Sequence, residues 1–264
     1  MLESLMQPNL VFVFSSRSFP GDVVGMSDVQ IPLVEVSNLR FRWLRKGTDI
    51  LSIENLTVQK GERLFVKGNS GSGKTTLLNI IAGIITPQNG SVKILDETIS
   101  SMSSWKRDGF RAQHIGIVFQ IFNLIPYLSL VDNVILPCHF SAPRRKRALE
   151  RSSTLIEEAS RLLEHLGLDI NNLADQPVSR LSVGQQQRVA VARALMGGPE
   201  LVIADEPTSA LDANARSAFL KLLFREVEDS NASLIFVSHD ASLEPYFERS
   251  IHLDKINHTG PRAT

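Results

Sequence analysis

Cysteine is almost absent. Cys138 is the only one in 264 residues, so an internal disulfide and a zinc cage built on cysteines are both excluded, and a buried, inert thiol in a reducing compartment is the expectation. Long apolar runs are missing too. A spanning helix needs roughly 18 such residues, whereas the longest runs here, such as Leu10 to Phe14 and Leu201 to Ala204, are a handful of residues, and the chain is not expected to cross a membrane by itself. Nor does one sign of charge prevail. The 28 basic residues balance 28 acidic ones, so bulk electrostatics favours neither nucleic acid nor an anionic membrane, and no nucleic-acid partner is expected. The chain also has no internal repeat and no low-complexity tract.

What is present is globular material. With 43% hydrophobic residues, the chain can bury the core of one large domain, or of a domain with a subdomain. Its first 25 residues have no basic start and an apolar stretch of only about five residues, which is not a signal peptide. Residues 1–30 are read as a disordered tail, or as the product of an upstream start with Met26 the true initiator. From Leu33 the pattern is strand-like: Leu33 to Val36, Leu39 to Trp43, the alternation of Leu51, Ile53, Leu56 and Val58, and then Leu64 to Val66. Between Arg144 and Leu166, apolar residues at Leu155, Ala159, Leu162 and Leu166 predict one face of an amphipathic helix. Two apolar strands, Leu201 to Ala204 and Leu234 to Val237, bracket a helix over about Ala213 to Val227. That rhythm predicts an α/β fold with a mainly parallel core sheet.

Gly68-Asn69-Ser70-Gly71-Ser72-Gly73-Lys74-Thr75 meets the phosphate-loop pattern at every fixed position, after a strand and before a helix running from about Lys74 to Ala82. In such a loop glycines let successive N–H groups turn toward an anion, and the helix N-terminus adds partial positive charge. Lys74 reaches the terminal phosphates and the Thr75 hydroxyl holds Mg²⁺. Phosphoryl transfer also needs a carboxylate for the metal and a group to orient the attacking water. Asp205 and Glu206, at the end of the strand Leu201 to Ala204, supply both. Neighbours at a strand end point in different directions, so Asp205 can serve the metal while Glu206 faces the nucleophile. The chain has no Asn-Lys-x-Asp guanine reader, which counts against a GTPase.

One further segment, Leu181-Ser-Val-Gly-Gln-Gln-Gln-Arg188, combines a hydroxyl, a glycine and three amides. The order of Gly68 to Thr76, Gln120, Leu181 to Gln185, Asp205-Glu206, Ser209 to Asp212 and His239 resembles the ATP-binding subunit of an ABC transporter over about residues 31–255. The resemblance implies a P-loop NTPase of ABC type, with an antiparallel β-subdomain, a helical subdomain at about 121–195 and a tail from 256 to 264. It implies two subunits packed head to tail, with Ser182, Gly184 and Gln185 of one closing over the γ-phosphate held by the other, so that the ligand of the signature segment belongs to a second, identical ATPase subunit. Gln120 would sense Mg²⁺ and water, Glu206 would be the general base, His239 would touch the γ-phosphate, Asp212 would meet the opposite subunit, and Trp43 would stack on adenine. The helix after the signature is read as Gln186 to Met196. Val183 departs from the family pattern, which has glycine there, and the β-branched side chain is expected to affect hydrolysis rate more than ATP sandwiching.

The apolar and aromatic stretch from Gln120 to Leu130 and on to Pro137 is similar to the lipoprotein-release, macrolide-efflux and cell-division branch. It implies an integral membrane permease docking near Gln120 to Tyr127, at the cytoplasmic face of the inner membrane. The basic run Pro143 to Arg147, with Arg151, is read as a solvated helix start, with anionic lipid or an acidic partner loop as the alternative. The rival reading of the whole chain is a soluble regulatory ABC ATPase. A single phosphate loop, and a stretch between Thr75 and Ser182 too short for a coiled-coil insertion, weigh against translation and DNA-repair types.

Overall fold

The computed structural model describes residues 31–259 apart from positions 45, 174, 175 and 210. The tail expected over 1–30 therefore lies outside the described residues. In chain order the elements are β1 (Val34–Phe41), β2 (Leu51–Val58), β3 (Arg63–Lys67), α1 (Lys74–Ile81), β4 (Asn89–Ile94) and β5 (Glu97–Thr98). Next come α2 (Ser104–His114), β6 (Ile115–Val118), α3 (Leu130–Phe140), α4 (Ala142–Arg151), α5 (Leu155–His165), α6 (Ile170–Leu173) and α7 (Val183–Leu195). The chain closes with β7 (Leu201–Asp205), α8 (Ala213–Asp229), β8 (Ser233–Val237), β9 (Arg249–His252) and α9 (Leu253–Ile256).

Two sheets follow from two sequence patterns. β1 and β2 alternate buried and exposed positions, the mark of a sheet with one wet face, and they lie in an antiparallel sheet of order β2-β1-β4-β5. All five residues of β7 and of β8 are buried, as central parallel strands require. They sit inside a parallel sheet of order β6-β7-β8-β3-β9. The two runs predicted at Leu33 to Val36 and Leu39 to Trp43 form a single strand. Asn38, at φ 51°, marks a bulge where the β4 register shifts between Ser37 and Arg40. One apolar cluster joins the antiparallel sheet, α1 and one face of the parallel sheet through Leu39, Ile53, Leu77 and Ile203. The antiparallel sheet and the helix that follows the phosphate loop are thus held on one body.

A second cluster packs α3, α5, α7 and α8 through Val134, Leu162, Val191 and Phe219, and it contains Cys138, whose thiol burial pushes up. Two expectations change here. The helix predicted between Arg144 and Leu166 is two helices, because the chain leaves helical geometry at Ser152 and restarts at Thr154, which forms a capping box with Glu157. The basic run is a solvated face only in part: Arg145, Lys146 and Arg151 are exposed, but Arg144 and Arg147 turn inward. Arg144 is only 3% exposed, and its guanidinium donates to Ala194 O at 2.9 Å, while Arg147 donates to Gly197 O at 2.8 Å and Gln113 O at 2.9 Å. These arginines satisfy carbonyls left open at the C-termini of α7 and α2. Burial pulls the Arg144 pKa down to about 10. Asn257, placed by sequence in the tail, is tied into the domain by its side chain.

Candidate nucleotide site

The strand β3 ends in a loop that turns directly into α1. Gly71 at φ 79° and Gly73 at φ 99° adopt left-handed backbone, which glycine reaches without steric cost. Gly73 is also fixed by packing, since an added Cβ would stand 2.8 Å from Leu51 Cδ2. No side chain caps α1, so its first N–H groups are left for a ligand.

A cavity of about 430 Å³ opens over this loop, with Ser70, Gly71, Gly73, Lys74, Thr75 and Thr76 along one side. Gln120, Asp205, Glu206 and His239 close the other side, and Trp43 with Ile50 forms one end. Trp43 is 61% exposed and meets buried Phe41 edge to face at 5.0 Å. Of the two aromatics, Phe41 is core and Trp43 is presented. The Lys74 ammonium donates to Gly68 O at 2.7 Å and Asn69 O at 2.9 Å. Asn69 and Ser72 of the loop do not line the cavity; the Asn69 amide points at Asp254, 3.3 Å away.

β7 delivers two carboxylates in two directions. Thr75 Oγ1 donates to Asp205 Oδ2 at 2.8 Å. Burial raises the Asp205 pKa above the ordinary carboxylate range and nearby Glu206 adds to this, against the opposing effects of the Thr75 bond and Lys74. Glu206 leaves the strand at φ 49°, a left-handed conformation that costs a non-glycine residue about 1–2 kcal/mol. Its N–H donates to Val237 O at 2.9 Å. Its Oε2 lies 2.9 Å from His239 Nδ1 and accepts from Ser238 Oγ at 3.3 Å. Ser238 was given no site role from sequence, although its place beside His239 was the signal.

The signature segment is elsewhere, since none of Ser182, Gly184 and Gln185 lines this cavity. Helix α7 starts at Val183 rather than Gln186, with Ser182 as its N-cap. A capping box joins Ser182 Oγ to the Gln185 N–H at 3.3 Å and Gln185 Oε1 to the Ser182 N–H at 2.8 Å. The S-x-x-Q spacing could have shown this. All three amides serve the chain itself. Gln186 donates to Leu181 O at 3.0 Å, and buried Gln187 donates to Pro207 O, tying α7 to the loop after Glu206. Val183 is half exposed in the first turn. A Cβ on Gly184 would meet only Leu211 Cδ2, at 3.7 Å. Asp212 caps α8, accepting from the Ala215 N–H at 2.9 Å.

The sequence profile of the ABC transporter family matches residues 51–209. The chain belongs to the ABC transporter family. Within it, the chain is an ATP-binding cassette of the ABC ATPase fold. It is 37% identical over 230 residues to the lipoprotein-releasing system ATP-binding protein LolD of Syntrophotalea carbinolica, a match covering 86% of this chain and 97% of the relative. It is 36% identical over 222 residues to the macrolide export ATP-binding/permease protein MacB of Pasteurella multocida, covering 83% of this chain and 33% of the relative. The cassette thus spans about a third of the length of that relative. Among solved structures it matches MJ0796, a dimeric ATP-binding cassette in a post-hydrolysis state bound to ADP and Pi. That match has a TM-score of 0.70 and 35% identity, and covers 83% of this chain and 93% of that one.

Proposed function

We propose that this cassette binds and hydrolyses ATP as one half of a head-to-tail pair, and that it powers a membrane-embedded partner of export, lipoprotein-release or mechanical-signalling type. The observation that carries this is the separation of two half-sites. One cavity holds the phosphate loop, both carboxylates and His239. The signature segment presents its glycine where the chain's own packing does not call for one. Glycine there allows close approach by something outside the chain, and a second copy's nucleotide meets that description.

Within the pair, Trp43 stacks on adenine, and the loop N–H groups from Ser70 to Thr76 with Lys74 hold the phosphates. Thr75, Asp205 and Gln120 offer hydroxyl, carboxylate and amide oxygens, a hard donor set that fits Mg²⁺. Bound there, Mg²⁺ would neutralise charge on the β- and γ-phosphate oxygens. Glu206 takes a proton from the attacking water, and His239, hydrogen-bonded to Glu206, holds that carboxylate beside the γ-phosphate. Gln120 connects this chemistry to the partner. Beyond it Ile121 and Tyr127 are 83% and 79% exposed, and a groove of about 540 Å³ runs past Phe119, Asn123, Leu136 and Phe140. This groove receives a segment of the membrane subunit at the cytoplasmic face of the inner membrane. Among the described residues no helix is long and apolar enough to cross a membrane.

The pairing is tested with Glu206→Gln, which keeps the side chain's shape but removes the base. With ATP and Mg²⁺ it is expected to run as a dimer in light scattering, and a persistent monomer at saturating ATP would count against the pair. A mild-detergent pull-down from native membranes should recover a membrane subunit; recovery of soluble chains alone points to a regulatory role instead.

A further inference from the structure

The C-terminal turn reaches the nucleotide cavity from behind. α9 ends at Ile256, and the next residue, Asn257, sends its amide between two walls of the site. Asn257 Oδ1 accepts from the Ser52 N–H at 2.7 Å, while Nδ2 donates to Ile50 O at 2.9 Å and to Ser72 O at 3.4 Å. Ile50 forms the base end of the cavity with Trp43, and Ser72 belongs to the phosphate loop. A single side chain thus joins the two parts that hold opposite ends of one ligand.

The junction is anchored on its other side too. Asn257 pairs with Ile53 in an antiparallel bridge, and the His258 N–H donates to Ser52 O at 2.8 Å. Asp254, one turn earlier, accepts from the backbone and side-chain amides of Asn69 at 3.4 and 3.3 Å. Loop and base wall are already in contact, because the Cβ position of Gly73 falls 3.4 Å from Ile50 O. Any slip between Ile50 and the loop would change the distance that a nucleotide must span. An amide suits this place because it can accept from one wall and donate to both with one planar group.

We propose that Asn257 is a positioning residue that sets the spacing between the base-stacking wall and the phosphate loop. It acts on ligands that bridge the two and not on those that occupy the loop alone. This rests on the ATP reading of the cavity. The test is titration calorimetry of the full chain and its Asn257→Ala variant with ATP and with inorganic tripolyphosphate, both in Mg²⁺. The expected result is a roughly tenfold weaker Kd for ATP and a Kd for tripolyphosphate within about twofold of the unaltered chain. Parallel weakening of both ligands, or no change in either, overturns the proposal. If the alanine variant does not fold, Asn257→Ser, whose hydroxyl can still satisfy one wall, is judged by the same selectivity. Failure of the unaltered chain to bind ATP at all would instead refute the nucleotide reading.

Discussion

Gly184→Ala separates what the fold needs from what a partner needs. Gly184 lies in the first turn of α7, and the added methyl would meet only Leu211 Cδ2 at an ordinary 3.7 Å. Alanine in a helix interior is favoured over glycine by about 1 kcal/mol. In a first turn roughly half of that applies, so the isolated chain should gain about 0.5 kcal/mol, or about 1–2 °C in Tm. Function should move the other way. In the proposed pair the Gly184 N–H would face a phosphate, and a hydrogen bond to a charged group contributes about 1.5–3 kcal/mol. A methyl that holds the anion back should therefore lower hydrolysis about ten- to a hundredfold. Thermal unfolding of the nucleotide-free chain and steady-state phosphate release measure the two effects. Hydrolysis within twofold of the unaltered chain would refute the trans approach, and a lower Tm would refute the packing at α7.

Asp205→Asn should stabilise the nucleotide-free chain at pH 7 while abolishing the stabilisation by Mg²⁺-ATP. The folded pKa of Asp205 is raised, so stability is fully present below its unfolded value of about 3.9 and falls as pH rises through the folded one. Melts from pH 3.5 to 7 should show the asparagine advantage growing with pH, and equal Tm values at pH 7 would contradict the desolvation argument. Arg161→Met should cost about 2–4 kcal/mol in urea unfolding at pH 7, because it strips the guanidinium from Glu158 and Glu226, 1% and 3% exposed. Burial pushes the Glu158 pKa up, but the Arg161 fork and the Ser152 hydroxyl outweigh it and leave it lowered. Its stabilisation is therefore present above about pH 4.3 and lost as pH falls through the folded value, so the gap between the two proteins should narrow in acid.

The parts of this cassette that were legible in its sequence are those written in consecutive residues. The phosphate loop is read from Gly68 to Thr75 because successive backbone groups do the binding. The strand before Asp205 is read from an apolar run because a central parallel strand buries both faces. Arg144 and Arg147 of α4 were misread for the opposite reason. Their partners, Ala194 and Gly197, lie about 50 positions away, and a run of positive charge looks solvated until a helix end is found against it. Asn257 was assigned to a tail for the same reason, since its partners lie 185 to 207 positions upstream.

The signature segment shows how one stretch can satisfy its own fold and still be free to act elsewhere. Its hydroxyl and amides looked like ligand contacts in sequence, and most are engaged within the chain. Ser182 Oγ accepts the Gln185 N–H, Gln186 holds Leu181, and Gln187 holds Pro207. A serine hydroxyl has two acceptor positions and one donor, so capping the helix leaves the Ser182 proton to give. The capping box also orders the first turn, where the Val183 and Gly184 N–H groups have no partner within the helix. What remains for a second subunit's γ-phosphate is a hydroxyl proton, two N–H groups and the positive end of a 13-residue helix. All of these are donors, and they are fixed in place before any nucleotide arrives. Val183 leaves this donor set in place, because its N–H is presented by the helix whatever the side chain, and the side chain itself is half in solvent. In the proposed pair the glycine that matters is the next one, where the backbone would have to be approached.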